Sequence, residues 1–304
     1  MTEERAQLIG QRSALLAKMR AIAKDVRGDA PTRRVHLIVS IDRLLQRLLA
    51  TTEWGTWVLK GGYANQIRHP DGARFTEDVD LNIDADIERA TDMVASAAAL
   101  DLDDPFSFEI AAPLRLLVGP PGGGLRYVVV TRLVGQELVR FKVDVSSQDA
   151  VVGALEKHRS DPIVERLGLA RATFPVYPIA QQFAVKIHAY TRPRDAENTR
   201  AKDLADMVWF TTRHTFRSKA LIEAGLATFG RRGEHPWPPI PASPPAAWAR
   251  QYAALCREMD LDPTTADDAY EVLMTFLAPV LAGDRTQRWS PTTCTWSKAA
   301  ARGD

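Results

Sequence analysis

Residues 78–83 read Asp-Val-Asp-Leu-Asn-Ile, with Asp78, Asp80 and Asn82 alternating strictly with Val79, Leu81 and Ile83. Side chains along a strand point to opposite faces in turn, so this run predicts a strand with an apolar face on a core and a polar face turned away from it. The same alternation sets two carboxylates side by side. Surface strands carry such pairs by chance, but the neighbouring Val58 and Leu59 also predict a buried sheet. There, two like charges are costly unless a cation compensates them.

A chain of 304 residues predicts one large domain or two. Hydrophobic residues at 45% and charged residues at 25% are sufficient for a sizeable core and exclude a disordered or coiled-coil chain. The net charge of +1 gives no global nucleic-acid signature, so any basic surface must be local. One such excess lies in residues 1–50, with ten basic residues against five acidic ones. Cys256 and Cys294 lack a metal-type spacing and do not make a disulfide framework. The N-terminus is too charged for a signal peptide, and no apolar run approaches the ~18–20 residues that span a bilayer. The expectation is a soluble cytoplasmic protein, with core enough for a monomer.

Helical spacing of apolar residues predicts helices over residues 3–24 and 35–49, the second after a break at Asp29-Ala30-Pro31. A strand over 56–59, a helical piece over 64–67, the strand over 78–83 and a helix over 87–100 follow. Strands over 126–133 and 138–145 turn at Gly135 as a hairpin. Beyond about Ile179 the pattern turns helical, over 179–190, 200–212, 218–229, 246–259 and 266–281. The proline-rich stretch 235–245 cannot be regular helix or central strand and predicts a stiff connector or a wrapped arm. The tail from Ser297 reads as frayed. Domain boundaries follow as residues 1–178 and 179–304.

A third carboxylate keeps suitable company. Phe141, Val143 and Val145 face one way in their strand, and Arg140, Lys142 and Asp144 face the other. Were this strand beside residues 78–83, Asp144 would complete with Asp78 and Asp80 an oxygen cluster suited to Mg²⁺ or Mn²⁺. Gly61 and Gly62, at the start of a helix, would let backbone N–H groups approach a triphosphate.

Lys60-Gly-Gly, then Arg74-Phe-Thr76-Glu-Asp78-Val-Asp80-Leu, then Lys142-Val-Asp144 resembles the AbiEii/AbiGii-type nucleotidyltransferase toxins, which include the mycobacterial MenT toxins, of the polymerase-β-like superfamily. The likeness continues in Gln182-Phe-Ala-Val-Lys186-Ile-His-Ala189 and Arg200-Ala-Lys202-Asp203-Leu-Ala-Asp206, and spans about residues 55–210. It implies an α/β (α+β) fold: a polymerase-β-like core with a mixed sheet, followed by a helical C-terminal domain. It implies that Asp78 and Asp80 hold the metal, to which the strand reading adds Asp144, and that Asp78, Asp80, Lys186 and Asp203 are catalytic. The implied nucleotide-binding set is Lys60, Gly61, Gly62, Arg74, Thr76, Lys186, Lys202 and Asp206. Asp203 and Asp206, three apart on one helix face, are rivals for one role.

Taken singly, several of these residues have plainer readings. Lys186 alone reads as a solvated lysine and His188 as a packed histidine. Lys202 and Asp206 have the spacing of a helical ion pair, worth ~0.3–0.5 kcal/mol. Gly122-Gly-Gly124 lacks the ending of a P-loop and reads as a flexible connection. Trp209, Trp237, Trp248, Trp289 and Trp296 could stack on bases but read as core.

The resemblance implies a toxin of a toxin–antitoxin or phage-defence pair, moving a nucleotidyl group from an NTP to the 3′ end of tRNA and blocking translation. An encoded antitoxin and the tRNA acceptor stem are the implied partners. Basic candidates for RNA are Arg192, Arg194, Arg200, Arg213, Arg217, Lys219, Arg231 and Arg232. The residues leave open a protein or small-molecule acceptor, a silent nucleotide- or RNA-binding module, and a pure interaction protein.

Overall fold

The computed structural model describes residues 3–111, 115–116, 123–195 and 197–299. They form two compact units, one from residues 1–149 with 155–176 and one from 150–154 with 177–304.

The first unit contains helices α1 (Glu3–Ala23), α2 (Pro31–Thr51), α3 (Gly61–Arg68), α4 (Ile87–Ala99) and α5 (Pro162–Arg166). Its strands are β1 (Trp57–Lys60), β2 (Asp78–Ile83), β3 (Phe106–Ile110), β4 (Arg115–Leu116), β5 (Gly124–Leu133), β6 (Gln136–Ser147), β7 (Glu156–Arg159) and β8 (Thr173–Val176). These make one mixed sheet in the order β3-β5-β6-β2-β1-β8-β7, with β4 beside β5. Trp57, Leu59, Val79, Leu81, Ile83, Val143 and Val145 share a core with Val35, Leu37, Ile41, Leu44, Leu45 and Leu48 of α2. The alternation of β2 therefore does what it predicted: its apolar residues are buried in that core.

Arg43 and Arg47, two of the basic residues counted near the N-terminus, are buried rather than offered to a partner. Arg47 donates to Asp104 at 2.8 Å and to the Phe106 carbonyl at 2.8 Å, tying α2 to the start of β3. Helix α4 starts where the Asp86 side chain accepts from the Arg89 N–H at 2.8 Å. The β5–β6 hairpin turns through Val134 and Gly135, both at positive φ (50° and 72°), the conformation that suits a two-residue hairpin turn. Of the glycine run at 122–124, Gly122 lies outside the described residues and Gly124 opens β5.

The second unit holds α6 (Ile179–Thr191), α7 (Ala201–Arg213), α8 (Ser218–Arg232), a 3₁₀ turn at Ala246–Trp248, α9 (Ala249–Met259) and α10 (Ala266–Leu281). It also holds a small sheet, β11-β10-β9, built from β9 (Phe216–Arg217), β10 (Gln287–Ser290) and β11 (Thr295–Lys298). This sheet corrects the expectation of a purely helical C-terminal part and of a frayed tail, since Ser297 pairs with Arg288. Trp209, Trp248 and Trp289 are buried core residues. The proline-rich stretch is a wrapped arm: Tyr190 donates to the Ala242 carbonyl at 2.8 Å and Tyr270 to the Pro241 carbonyl at 2.9 Å. Among the described residues, no helix is long and apolar enough to cross a membrane.

Candidate active site

The strand register assembles the polar face that the sequence outlined. Strand β1 runs antiparallel to β2 with Lys60 opposite Asp80. On the other side β6 runs parallel to β2, with Asp144 beside Asp80 and Lys142 beside Asp78. Strand β5 then brings Arg126 opposite Asp144. Directly paired residues share a face, so Asp78, Asp80 and Asp144 lie together on the side of the sheet away from its apolar core.

The paired glycines are required by close approach. Gly61 opens α3 at φ +69°, and a Cβ built on it would stand 2.6 Å from the Asp80 carboxylate carbon. A Cβ on Gly62 would stand 2.9 Å from Cβ of Thr76, which cannot swing aside. Two residues of the Arg74–Asp80 stretch thus press on the two glycines, one each. Thr76 also braces the strand entry, its hydroxyl donating to the Asp78 carbonyl at 3.2 Å and accepting the Asp78 N–H at 3.3 Å. Arg74 is half-buried in the same segment. The loop after α3 closes on itself, Gly72 and Ala73 both donating to the His69 carbonyl at 3.1 Å.

Charge on this face is balanced locally. Arg126 holds Asp144 through both nitrogens, Nε and Nη2 each 2.6 Å from a carboxylate oxygen. That hydrogen bond raises the Arg126 pKa above its ordinary value; burial opposes the shift, and the charges of Asp144, Asp78 and Asp80 support it. Lys142 Nζ lies 3.9 Å from Asp78. Lys60 donates to the Ser146 hydroxyl at 2.6 Å and to the buried Asp149 carboxylate at 3.3 Å. Asn82 continues that network, accepting the Asp149 N–H at 3.0 Å. The amine of Lys60 is therefore engaged with β6 and the segment just beyond it.

Carboxylates from adjacent strands are hard oxygen donors whose chemistry suits Mg²⁺ or Mn²⁺, but among the described residues Asp78, Asp80 and Asp144 share a face without gathering three ligand atoms within 4.8 Å of one another. Both oxygens of Asp144 already serve Arg126.

In the second unit, Lys186 of α6 is buried rather than solvated, its Nζ 2.6 Å from Asp206 and 3.2 Å from Asp203 of α7. The rival aspartates converge on one amine, and Arg200 adds a contact to Asp203 at 3.5 Å. Lys202 is exposed, so the Lys202–Asp206 ion pair read from helical spacing is replaced by a Lys186–Asp206 pair across two helices. His188 is packed as expected, edge-on to Phe229 at 4.8 Å. Arg126, Ser146 and Asp149 were not legible as site residues; only the register across three strands brings them in.

A model of the family described as "Nucleotidyl transferase AbiEii toxin, Type IV TA system" matches residues 43–272. The chain belongs to the AbiEii nucleotidyltransferase toxin family. Among solved structures, this AbiEii chain is similar to MenT4, a nucleotidyltransferase toxin from Mycobacterium tuberculosis H37Rv, at 21% identity and a TM-score of 0.53 over 90% of this chain and 99% of that one. The likeness extends the family assignment to the fold, the mixed sheet with its helices. JHP933 from Helicobacter pylori matches at 16% identity and a TM-score of 0.43, over 81% of this chain and 93% of that one. Curated proteins yield no significant match. The AbiEii match includes every residue from Lys60 to Asp206 named above.

Proposed function

We propose that this AbiEii-family toxin transfers a nucleotidyl group from an NTP to the 3′-hydroxyl of tRNA, blocks translation, and is restrained by a cognate antitoxin. Residues 1–178 would form the nucleotidyltransferase domain and residues 179–304 a C-terminal domain that assists it. One observation supports this above the others: Asp78 and Asp80 share the polar face of β2, with Asp80 packed directly on Gly61.

Asp78 and Asp80 would hold Mg²⁺ or Mn²⁺, which when bound lowers the pKa of an acceptor hydroxyl and offsets charge developing on the α-phosphate. Backbone N–H groups at the start of α3 would bind the triphosphate. Thr76 keeps Asp78 in place through its two backbone hydrogen bonds. Lys60 braces β1 against β6. Lys142 offers a cation beside Asp78 and Arg126 one beside Asp144, both suited to phosphate oxygens. Arg74 is assigned to phosphate as well. Lys186, held by Asp203 and Asp206, is assigned to the departing pyrophosphate as a point charge, and Lys202 to the nucleotide. The 3′ oxygen attacks the α-phosphorus, the bond to the bridging oxygen breaks, and pyrophosphate leaves.

Labelled NTPs, supplied one at a time with Mg²⁺ and total RNA, test the reading. Transfer to a tRNA 3′ end that vanishes in Asp80→Asn is the expected result; undiminished transfer in that variant removes the assignment. A protein or small-molecule acceptor remains a second reading. It is favoured by the near-neutral charge and by the internal commitments of Arg192, which pairs with Glu234, and Arg194, which donates to the Arg192 carbonyl at 3.2 Å. Separate protein and aminoglycoside acceptor arms decide it.

A further inference from the structure

In the second unit, His188 near the end of α6 meets Glu234 and His235, which follow α8 after its left-handed Gly233 cap. One potential ligand atom from each lies within 4.8 Å of the other two. The His188 Nε2 to Glu234 Oε2 distance is 3.8 Å, and the two imidazole centroids are 4.6 Å apart. Neither Glu234 nor His235 belongs to the carboxylate face of the first unit.

Hydrogen bonding fixes the state of His235. Thr191 gives its hydroxyl hydrogen to the Ile187 carbonyl at 2.8 Å, so its oxygen can only accept from His235 Nε2, 2.8 Å away. Nδ1 of His235 is then left with its lone pair, buried and without a hydrogen-bond donor. Oε2 of Glu234 is likewise buried without a hydrogen bond of good geometry, although Arg192 Nε stands 3.0 Å from it. A metal-ligating histidine usually donates its other ring N–H to a fixed acceptor, which orients the ring and sets the tautomer, and the Thr191 hydroxyl oxygen takes that place here.

We propose that His188, Glu234 and His235 form a binding site for a borderline divalent transition-metal ion, Zn²⁺ or a close relative, separate from the carboxylate face. Two imidazoles and one carboxylate suit such an ion, whereas Mg²⁺ prefers an all-oxygen set. Two cations contend with it. Arg192 must release Glu234, and Arg232, whose Nη1 is 3.4 Å from His188 Nδ1, must yield as that imidazole changes tautomer. The bound ion would clamp the end of α6, the helix that carries Lys186, to the segment leaving α8.

Titration of the metal-stripped full-length chain with Co²⁺, followed by its ligand-field absorption and by Zn²⁺ competition, tests the site. One equivalent should bind at this site, apart from any ion on the carboxylate face, with its Kd raised at least tenfold in both His235→Asn and Glu234→Gln and unchanged in Asp78→Asn/Asp80→Asn and in Cys294→Ser. Circular dichroism checks that each variant is folded. Zn²⁺ should raise the Tm of the parent and of the aspartate double variant, but not that of Glu234→Gln. Absence of binding, equal affinity in His235→Asn and Glu234→Gln, or loss of the Co²⁺ signal on removing the aspartates or Cys294 would overturn the proposal.

Discussion

Asp80 lies against Gly61 so closely that any side chain at position 61 would occupy the space of its carboxylate. Gly61→Ala therefore meets two penalties at once. Its left-handed backbone costs an ordinary residue ~1–2 kcal/mol, and Asp80 must move. Displacement of a catalytic group by about 1 Å can cost ~10²-fold. The expected outcome is a folded protein by circular dichroism whose nucleotidyl transfer falls ~10²-fold.

Gly62 makes a separate prediction. Its obstacle is the Cβ of Thr76, so Gly62→Ala should lose activity, and Thr76→Gly should restore part of it by removing the obstacle. Parallel rate measurements on the single and double variants give the coupling; simple additivity of the two losses would count against this packing.

Removing Arg126 separates two roles for Asp144. Arg126→Ala leaves the half-shielded carboxylate without its bidentate partner, at an expected cost of ~1–3 kcal/mol in stability. If Asp144 can serve a divalent ion, the same variant should show half-maximal activity at a lower Mn²⁺ concentration than the parent. Denaturant melts and a Mn²⁺ activation curve measure both effects.

Lys186→Met leaves Asp203 and Asp206 facing each other with their shared amine gone. Breaking a buried pair from one side costs ~3–5 kcal/mol, so a large fall in melting temperature is expected. Adding Asp206→Asn to Lys186→Met should recover much of that stability without recovering transfer.

Stability should also fall on mild acidification. His36 of α2 has its pKa lowered from the ordinary 6.5, first by burial and then by the charges of Arg20 and Arg33. A depressed folded-state pKa means the fold prefers the neutral ring, so this contribution is present above 6.5 and is lost as pH falls toward and through the folded value. Melting temperatures between about pH 7.5 and about pH 5 should drop less in His36→Gln than in the parent.

How far this site could be read from sequence depends on the kind of signal each residue carries. Strand β2 was legible residue for residue, because period-two alternation over six positions has few alternatives. Helix α10 was equally plain. Arg126 was not, and the reason is a β-bulge between Thr131 and Arg132. Counting back from the two-residue turn pairs Arg126 with Val143, on the apolar face; the extra residue in β6 shifts it onto Asp144. Lys186 looked solvated because its burial comes from α7, a helix whose partner no local pattern specifies. The small C-terminal sheet escaped because β9 is only two residues long and gains its identity from β10.

Around the candidate site the polar side of the large sheet sets Lys60, Arg126 and Lys142 against Asp78, Asp80, Asp144 and Asp149, three positive charges to four negative, while Arg140 farther along β6 is offset by Glu137. Such a surface is nearly self-neutral, so the domain can fold and persist before any cation arrives. Loading one divalent ion inverts its sign, from one surplus negative charge to one surplus positive. The surface would then draw in a polyanionic nucleotide that it otherwise has little reason to attract, making order of arrival a property of the strands themselves.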